Sequence, residues 1–325
     1  MSKRINACGG SPPQTFKNYL ESRELSKSTI THYNTYVLDF ISWLDKDNTE
    51  IENVTTKELT AYLQKLQKQG LQNKTKAIRI NCLKHYFNWQ IQCSKRNDNP
   101  AKHIKIRGAK TKKLHDIFTI TELEKLYNDY VIPSEDDTCN NRNWWQEHLL
   151  TRKRNKVALG LLIYQGLTTA EIDKLTENDL QLREGKLFIK GSKKSNERTL
   201  ELKSHQIMDL MEYTLQVRQK LLELSNKTTD QLFISKGKNI QSNNNWKRLS
   251  QVIKEQQKNT MPAGATRFTN FKQVRASVIT NWLGMYNLRQ VQYMAGHRYV
   301  SSTESYLVNR LEDLQSDIDK YHPML

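Results

Sequence analysis

At 325 residues the chain exceeds what one ordinary core accommodates, and two domains are expected. Hydrophobic residues make up 37% of it, enough for a folded protein, and no stretch is apolar for long enough to span a bilayer. Fifty-one Lys and Arg against 34 Asp and Glu leave a formal charge of +17, a field that draws polyanions at long range and drives nonspecific binding to them.

The opening residues, MSKRINACGGSPPQTF, lack the apolar run of a secretion signal, so the chain is expected to stay in the cytoplasm, with 1–14 as a flexible start. Cys8, Cys82, Cys93 and Cys139 are scattered, with neither CxxC spacing nor a companion histidine cluster. They read as reduced thiols without a catalytic or metal-binding role.

Phe16 to Leu20 reads as a short helix. In LSKSTITHYNTYVLDFISWL, Ile30, Tyr33, Val37, Ile41 and Leu44 recur at spacings of three and four, the period of one helix face. VTTKELTAYLQKL places Thr55 and Glu58 at capping-box spacing, with Leu59, Tyr62, Leu63 and Leu66 as the buried stripe. NKTKAIRINCLKHYFNWQIQ is apolar on most sides and is expected at the centre of a four-helix domain spanning 15–96.

RNDNPAKHIKIRGAKTKKLHDIF follows. Pro100 and Gly108 break helix and six Lys or Arg lie between 102 and 113, so 97–118 is expected as a basic, extended linker. From 60 to 115 there are 14 Lys or Arg and one acid, Asp98. Such a stripe suits a nucleic acid backbone. An anionic membrane fits less well, because no helix pairs this charge with a clean amphipathic face.

A second domain is expected from 119 to 306, opening with ITELEKLYNDYV. Residues 132–147 read as a polar loop, NKVALGLLIYQGL as an apolar helix running into Gly166, and TTAEIDKL as a new helix start. NDLQLREGKLFIKGSKKSNERTLEL alternates with a period of two, giving short strands with turns at Gly185 and at 191–196. Helices are expected over 203–224, 244–257, 270–283, 287–295 and 308–320, the last within a tail helix spanning 307–325. The fold class is therefore mainly α with a small antiparallel β sheet, a helical domain preceding a mixed α/β one.

Four segments of the second domain, GLTTAEIDKL, KLFIKGSKKSNERTLEL, KQVRASVITNWL and VQYMAGHRYVSSTESY, occur in an order that resembles the tyrosine recombinases, or phage-type integrases. The resemblance covers about residues 15–320. Its most specific part is the end, where Tyr306 follows Gly296-His297 by nine positions and Arg275 precedes His297 by 22. It implies a C-shaped clamp on double-stranded DNA, with the helical domain as core-binding domain. It also implies a tyrosine that attacks the scissile phosphorus, making a 3′-phosphotyrosyl bond and freeing a 5′-hydroxyl. That bond keeps the phosphodiester energy, so rejoining requires neither ATP nor metal, and no cofactor is expected.

Carried onto this chain, the family pattern makes Tyr306 the nucleophile. A phenol with pKa near about 10 needs activation in place. His297 would hydrogen-bond the scissile phosphate and Arg275 would clamp it, a planar fork that stays charged being suited to the growing negative charge. A hairpin lysine, Lys193 or Lys194 depending on how the turn is gapped, would protonate the leaving 5′-oxygen, while Lys190 reaches only the backbone. Taken singly, each has a bland alternative: a half-buried aromatic, a turn histidine, a surface ion pair, a solvated turn.

Two departures stand out. KQVR puts Lys272 where the family's HxxR box has histidine; it shares a helix face with Arg275 but is a poorer proton acceptor unless its pKa is depressed. GLTTAE puts Thr168 where GLRxxE has its arginine, and losing one preorganised donor costs about 10² to 10³ in rate. Either another cation substitutes in space, or cutting is slow, or it is lost. Arg152, Lys153, Arg154 and Lys156 lie about 18 Å or more upstream along a helix. Arg267, eight residues before Arg275, is the nearer candidate, and Glu171 is expected to brace Arg275 or the hairpin.

In the tail, Leu311, Leu314 and Ile318 share one face, to pack on their own domain or on a neighbouring protomer. The implied partners are duplex DNA, three further copies of the chain in a homo-tetramer, and accessory or directionality proteins. The expected activity is integration, excision or resolution of DNA, as for a mobile element. The alternatives are an accessory DNA-binding protein of the same fold that has lost catalysis, and a one-strand topoisomerase using the same chemistry.

Overall fold

The computed structural model describes residues 15–47, 49–109, 116–134, 144–193, 195–226, 228–234, 243–260 and 267–307. The chain divides into two compact units, Met1–Lys113 and Leu114–Leu325. The start expected at 1–14, Lys194, and the tail helix beyond Leu307 lie outside the described residues.

The first unit is a bundle of α1 (Phe16–Ser22), α2 (Lys27–Leu44), α3 (Thr56–Lys68) and α4 (Asn73–Gln92). Local chemistry sets the starts. Ser26 caps α2 by accepting from the Thr29 amide, and Thr55 with Glu58 forms the expected capping box on α3. Leu20, Phe40, Leu44, Leu59, Tyr62, Leu66, Leu83 and Phe87 then close one core.

The stretch after α4 is not wholly extended. Ala101 is buried and Ile104 and Ile106 pack on the same core. Arg96 donates to the carbonyls of Ile51, Glu52 and Val54 while lying over the Phe87 ring. Lys84 Nζ donates to the Ile104 carbonyl at 2.9 Å and Asn73 to that of Arg107 at 3.1 Å. Small apolar residues spaced among the lysines thus hold the chain on the bundle as far as Arg107. Residues 110–115 lie outside the described ones.

The second unit is built around α6 (Trp145–Tyr164), buried on nearly all sides as its apolar run requires. One side of α6 packs with α5 (Ile120–Asn128), α10 (Asn243–Thr260), α11 (Phe271–Met285) and α12 (Leu288–Ala295); Leu159, Ile163, Val278, Ile279 and Val291 meet there. The other side packs on a sheet and on α8 (Ser204–Glu212) and α9 (Arg218–Ser225), which are joined through a wider π turn at Tyr213–Val217. The sheet is antiparallel in the order β1 (Leu180–Gln181), β2 (Lys186–Ile189), β3 (Arg198–Glu201), with Leu187 opposite Leu200 and Ile189 opposite Arg198. Two short helices, α7 (Thr169–Ile172) and α13 (Val300–Glu304), also belong to the second unit. The fold is mainly α with a small antiparallel sheet, as expected.

Candidate active site

Helix α6 ends at Tyr164, and just past its cap Gly166, with a left-handed backbone (φ +59°), lets the chain turn against Val278 and Trp282. Thr168 then starts α7 as its N-cap. Its amide and hydroxyl donate to Glu171 Oε2 at 2.8 and 2.9 Å, and its hydroxyl oxygen accepts from the Glu171 amide at 3.2 Å. This box fixes the Glu171 carboxylate, which accepts through Oε1 from Arg198 Nη1 at 2.8 Å and lies 3.7 Å from Arg275 Nη1. Glu171 therefore braces both the helix arginine and the hairpin.

Arg275 reaches the same place from α11. Its Nη1 donates to the Gly166 carbonyl at 2.5 Å and its Nη2 to that of Ala295 at 2.6 Å. The guanidinium thereby ties together the end of α6 and the end of α12. Helix α12 stops at Gly296, with φ +68°, and the turn that follows presents His297. His297 Nδ1 lies 2.8 Å from the hydroxyl of Thr303, a residue with 0% exposure. The ring stacks on Tyr306 with centroids 5.8 Å apart and planes 8° from parallel. The Tyr306 phenol lies close enough to the Arg275 guanidinium to bear on its charge.

The β2–β3 hairpin is fastened to this turn. Asn196 donates its amide to the Gly296 carbonyl at 3.0 Å, Ser195 forms a bridge with His297, and Arg298 donates to the Lys193 carbonyl at 3.2 Å. Lys193 is exposed on the hairpin tip beside the His297 turn. Lys190 is committed elsewhere, 3.2 Å from Asp179 Oδ1.

Arg275, His297 and Tyr306 are thus brought together and Lys193 is placed at their rim. Lys272 is exposed one turn ahead of Arg275, behind the N-cap Asn270. Arg267 is exposed as well. The upstream cations are held away from the site: Arg154 by Asn155 and the Ile234 carbonyl, Lys153 by Glu212, and Arg152 and Lys156 over the rings of Tyr130 and Tyr127. Among the described residues, the cation that does stand beside Glu171 and Arg275 is Arg198, which the motif comparison passes over. A signal for it exists in the sequence, since Arg198 sits in phase with the inward Leu200 and Leu202 of the strand pattern.

Electrostatics follow from this crowding. Burial, with Arg275 and Arg198 close by, pushes the His297 imidazole down to about 4 although Glu171 opposes the shift. His297 is therefore neutral near pH 7 and presents one N–H donor. Burial alone would raise the Glu171 carboxyl. The bond and charge of Arg198, the Thr168 amide and Arg275 overcome that and hold it below its ordinary value. Burial also draws Arg275 below the usual guanidinium value, against the pull of Glu171.

Two family models match the chain. The one described as the phage integrase family covers residues 147–312, about half of the chain, and the one described as the phage integrase N-terminal SAM-like domain covers 14–93. The chain belongs to the phage integrase family. Among its relatives within that family, tyrosine recombinase XerD of Oceanobacillus iheyensis is 26% identical over 307 residues, covering 93% of this chain and 94% of that protein. A tyrosine recombinase of Pseudothermotoga lettingae is 26% identical over 298 residues, 90% and 92% of the two chains. Among solved structures, the XerH site-specific recombinase bound to a palindromic difH substrate in a post-cleavage complex has a TM-score of 0.64 at 20% identity, covering 92% of this chain and 82% of that one. The Tn1549 transposon integrase in complex with transposon right end DNA has a TM-score of 0.61 at 15% identity, with coverages of 95% and 99%. These likenesses show that the family's fold is kept here with Thr168 in its first box.

Proposed function

We propose that the protein is a site-specific DNA recombinase that cuts and rejoins strands through Tyr306. The observation that carries this reading is the Tyr306 phenol, stacked on His297 and close to Arg275, among cations contributed by separate elements. In the cutting step the phenol oxygen forms a bond to the scissile phosphorus as the bond to the 5′-oxygen breaks. The phenol gives up one proton and the 5′-oxygen gains one, so the energy of the broken ester is kept in the phosphotyrosine. Arg275 holds nonbridging oxygens with a fork that stays charged, neutral His297 donates one hydrogen bond to the phosphate, and Lys193 supplies the proton to the leaving oxygen. Lys272 reaches the phosphate from the exposed start of α11.

The same reading assigns duplex DNA to the basic first unit, whose Lys68, Lys74, Lys95, Lys102, Lys105 and Arg107 are exposed. Contacts of this kind position the protein without specifying sequence. The tail expected at 307–325 joins protomers into a tetramer on DNA. A groove of about 600 Å³ in the second unit, lined by Leu123, Tyr164, Trp282, Met285 and Tyr286, offers an apolar seat for the Leu311, Leu314 and Ile318 face of a neighbouring copy. Accessory or directionality proteins bias the outcome, and the work takes place in the cytoplasm, on DNA.

The test is incubation with a nicked suicide DNA, whose cut strand cannot be rejoined, followed by a denaturing gel. A covalent protein–DNA adduct that vanishes in Tyr306→Phe is expected. A shifted band on a native gel with no adduct under any condition would leave a binder in place of an enzyme.

A further inference from the structure

Arg198 opens β3 on its inward face. A guanidinium in such a position is costly unless its charge and its donors are answered, and here the answer is partial. Nη1 donates to Glu171, but Nε and Nη2 have no hydrogen-bond partner among the described residues although the side chain is 0% exposed. Two other buried arginines of the same unit are treated differently, although the half-buried Arg152, lying over Tyr130, also leaves Nε and Nη1 without a partner among the described residues. Arg218 gives Nε and Nη2 to the carbonyls of Thr229 and Gln231 and pairs Nη1 with Glu177 at 2.8 Å. Arg154 engages all three of its nitrogens.

The local charge is also left over. Glu171 is the carboxylate shared by Arg198 and Arg275, at 2.8 and 3.7 Å. Two guanidiniums on one carboxylate beside a neutral imidazole leave a formal positive charge in a place shielded from water, where an anion rich in acceptor oxygens is favoured. The Arg198 guanidinium lies directly beneath Gly296, where any Cβ would collide with it, and so next to the turn that presents His297. Thr168, in contrast, spends its hydroxyl on the α7 cap.

We propose that Arg198 is the second cation of the phosphate clamp, donating through Nε and Nη2 to a nonbridging oxygen of the scissile phosphate in the part that Thr168 cannot play. The proposal rests on the recombinase reading above. It moves the clamp's second jaw from the start of α7 to the start of β3, with Glu171 as the common brace. Gly296 covers the guanidinium here, so the Gly296–His297 turn shifts when DNA enters and Tyr306 leaves Arg275 for the phosphorus.

Arg198→Met keeps an unbranched stem reaching about as far as Nε and removes the guanidinium with its charge. On nicked DNA with an ordinary scissile phosphate it is expected to form the adduct about 10² to 10³-fold more slowly than the unchanged protein. On the same DNA carrying a methylphosphonate, in which an uncharged methyl replaces one nonbridging oxygen, the gap should shrink to about tenfold or less, because less charge remains to be neutralised. A side chain that only held Glu171 in place would slow both substrates alike. That result, or an unslowed Arg198→Met, overturns the proposal. If Arg198→Met does not fold, the Tyr306→Phe protein crystallised on uncut duplex decides the matter. Nε or Nη2 within about 3.2 Å of a scissile phosphate oxygen upholds the proposal, and a separation beyond about 5 Å overturns it. No adduct from the unchanged protein sinks the recombinase reading and this proposal together, whereas a normal adduct with an unslowed Arg198→Met sinks this one alone.

Discussion

In the helical unit Lys68, Lys74, Lys95, Lys102, Lys105 and Arg107 face solvent, whereas in the second unit Arg154, Arg198 and Arg218 are buried and Arg275 nearly so. The difference is one of task. An exposed lysine is screened, mobile and replaceable; it adds to a long-range field that salt weakens. A buried arginine acts at one point in space, and the fold must supply its partners beforehand. Arg154 and Arg218 have theirs in protein carbonyls, amides and Glu177, so they serve the structure. Arg198 and Arg275 share Glu171 and both lie near His297, the arrangement that the proposed phosphate clamp requires.

If that contrast is sound, Arg275→Ala should give the largest effect. Adduct formation on suicide DNA is expected to fall by about 10³-fold or more, with DNA binding on a native gel changed by less than about threefold. Comparable losses in both assays would mean that Arg275 serves binding in general. Next comes Gly296→Ala. The added Cβ meets the Arg198 guanidinium and the backbone is left-handed at φ +68°, so urea unfolding should show a loss of about 2 to 4 kcal/mol. A loss under about 0.5 kcal/mol would show that the turn and the buried arginine are not locked together.

A smaller effect should follow from pH. His297 is held down to about 4, while a histidine in the unfolded chain titrates near about 6.5. Between these values the folded state binds fewer protons. The contribution to stability is therefore complete above about 6.5 and lost as pH falls toward 4. The urea midpoint of His297→Gln should decline less steeply than that of the unchanged protein across this window, and equal slopes would contradict the burial of a neutral imidazole. The smallest effects belong to the exposed cations. Lys95→Ala or Lys105→Ala should leave stability within about 0.5 kcal/mol. Where the residue meets a phosphate, the slope of log affinity against log salt should drop by about one. An unchanged slope for every exposed lysine would remove DNA from the face of the first unit.

How much of this was legible in the sequence depended on the range of the interaction. The capping box at Thr55 and Glu58 and the stripe of α3 are readable because their partners lie within a turn or two. Arg275, His297 and Tyr306 were readable as a set because the spacing of the last two and the order of the segments match a family pattern. The partner of Glu171 was not. Arg198 lies 27 positions away in β3, and its burial depends on how the hairpin folds onto Gly296. A lone arginine in the inward phase of Leu200 and Leu202 is the trace such a contact leaves in sequence. The docking of Ala101, Ile104 and Ile106 on the helical bundle was hidden for a similar reason, since the lysines around them dominate the local pattern.

The central claim is that one phenol among 14 tyrosines becomes linked to DNA. Digesting the trapped adduct and sequencing the nucleotide-bearing peptide by mass spectrometry tests it most directly. The account predicts the label on Tyr306, within the peptide containing Val300 to Leu307. A label on any other tyrosine, or on a serine of the Ser301–Ser305 run, would contradict it.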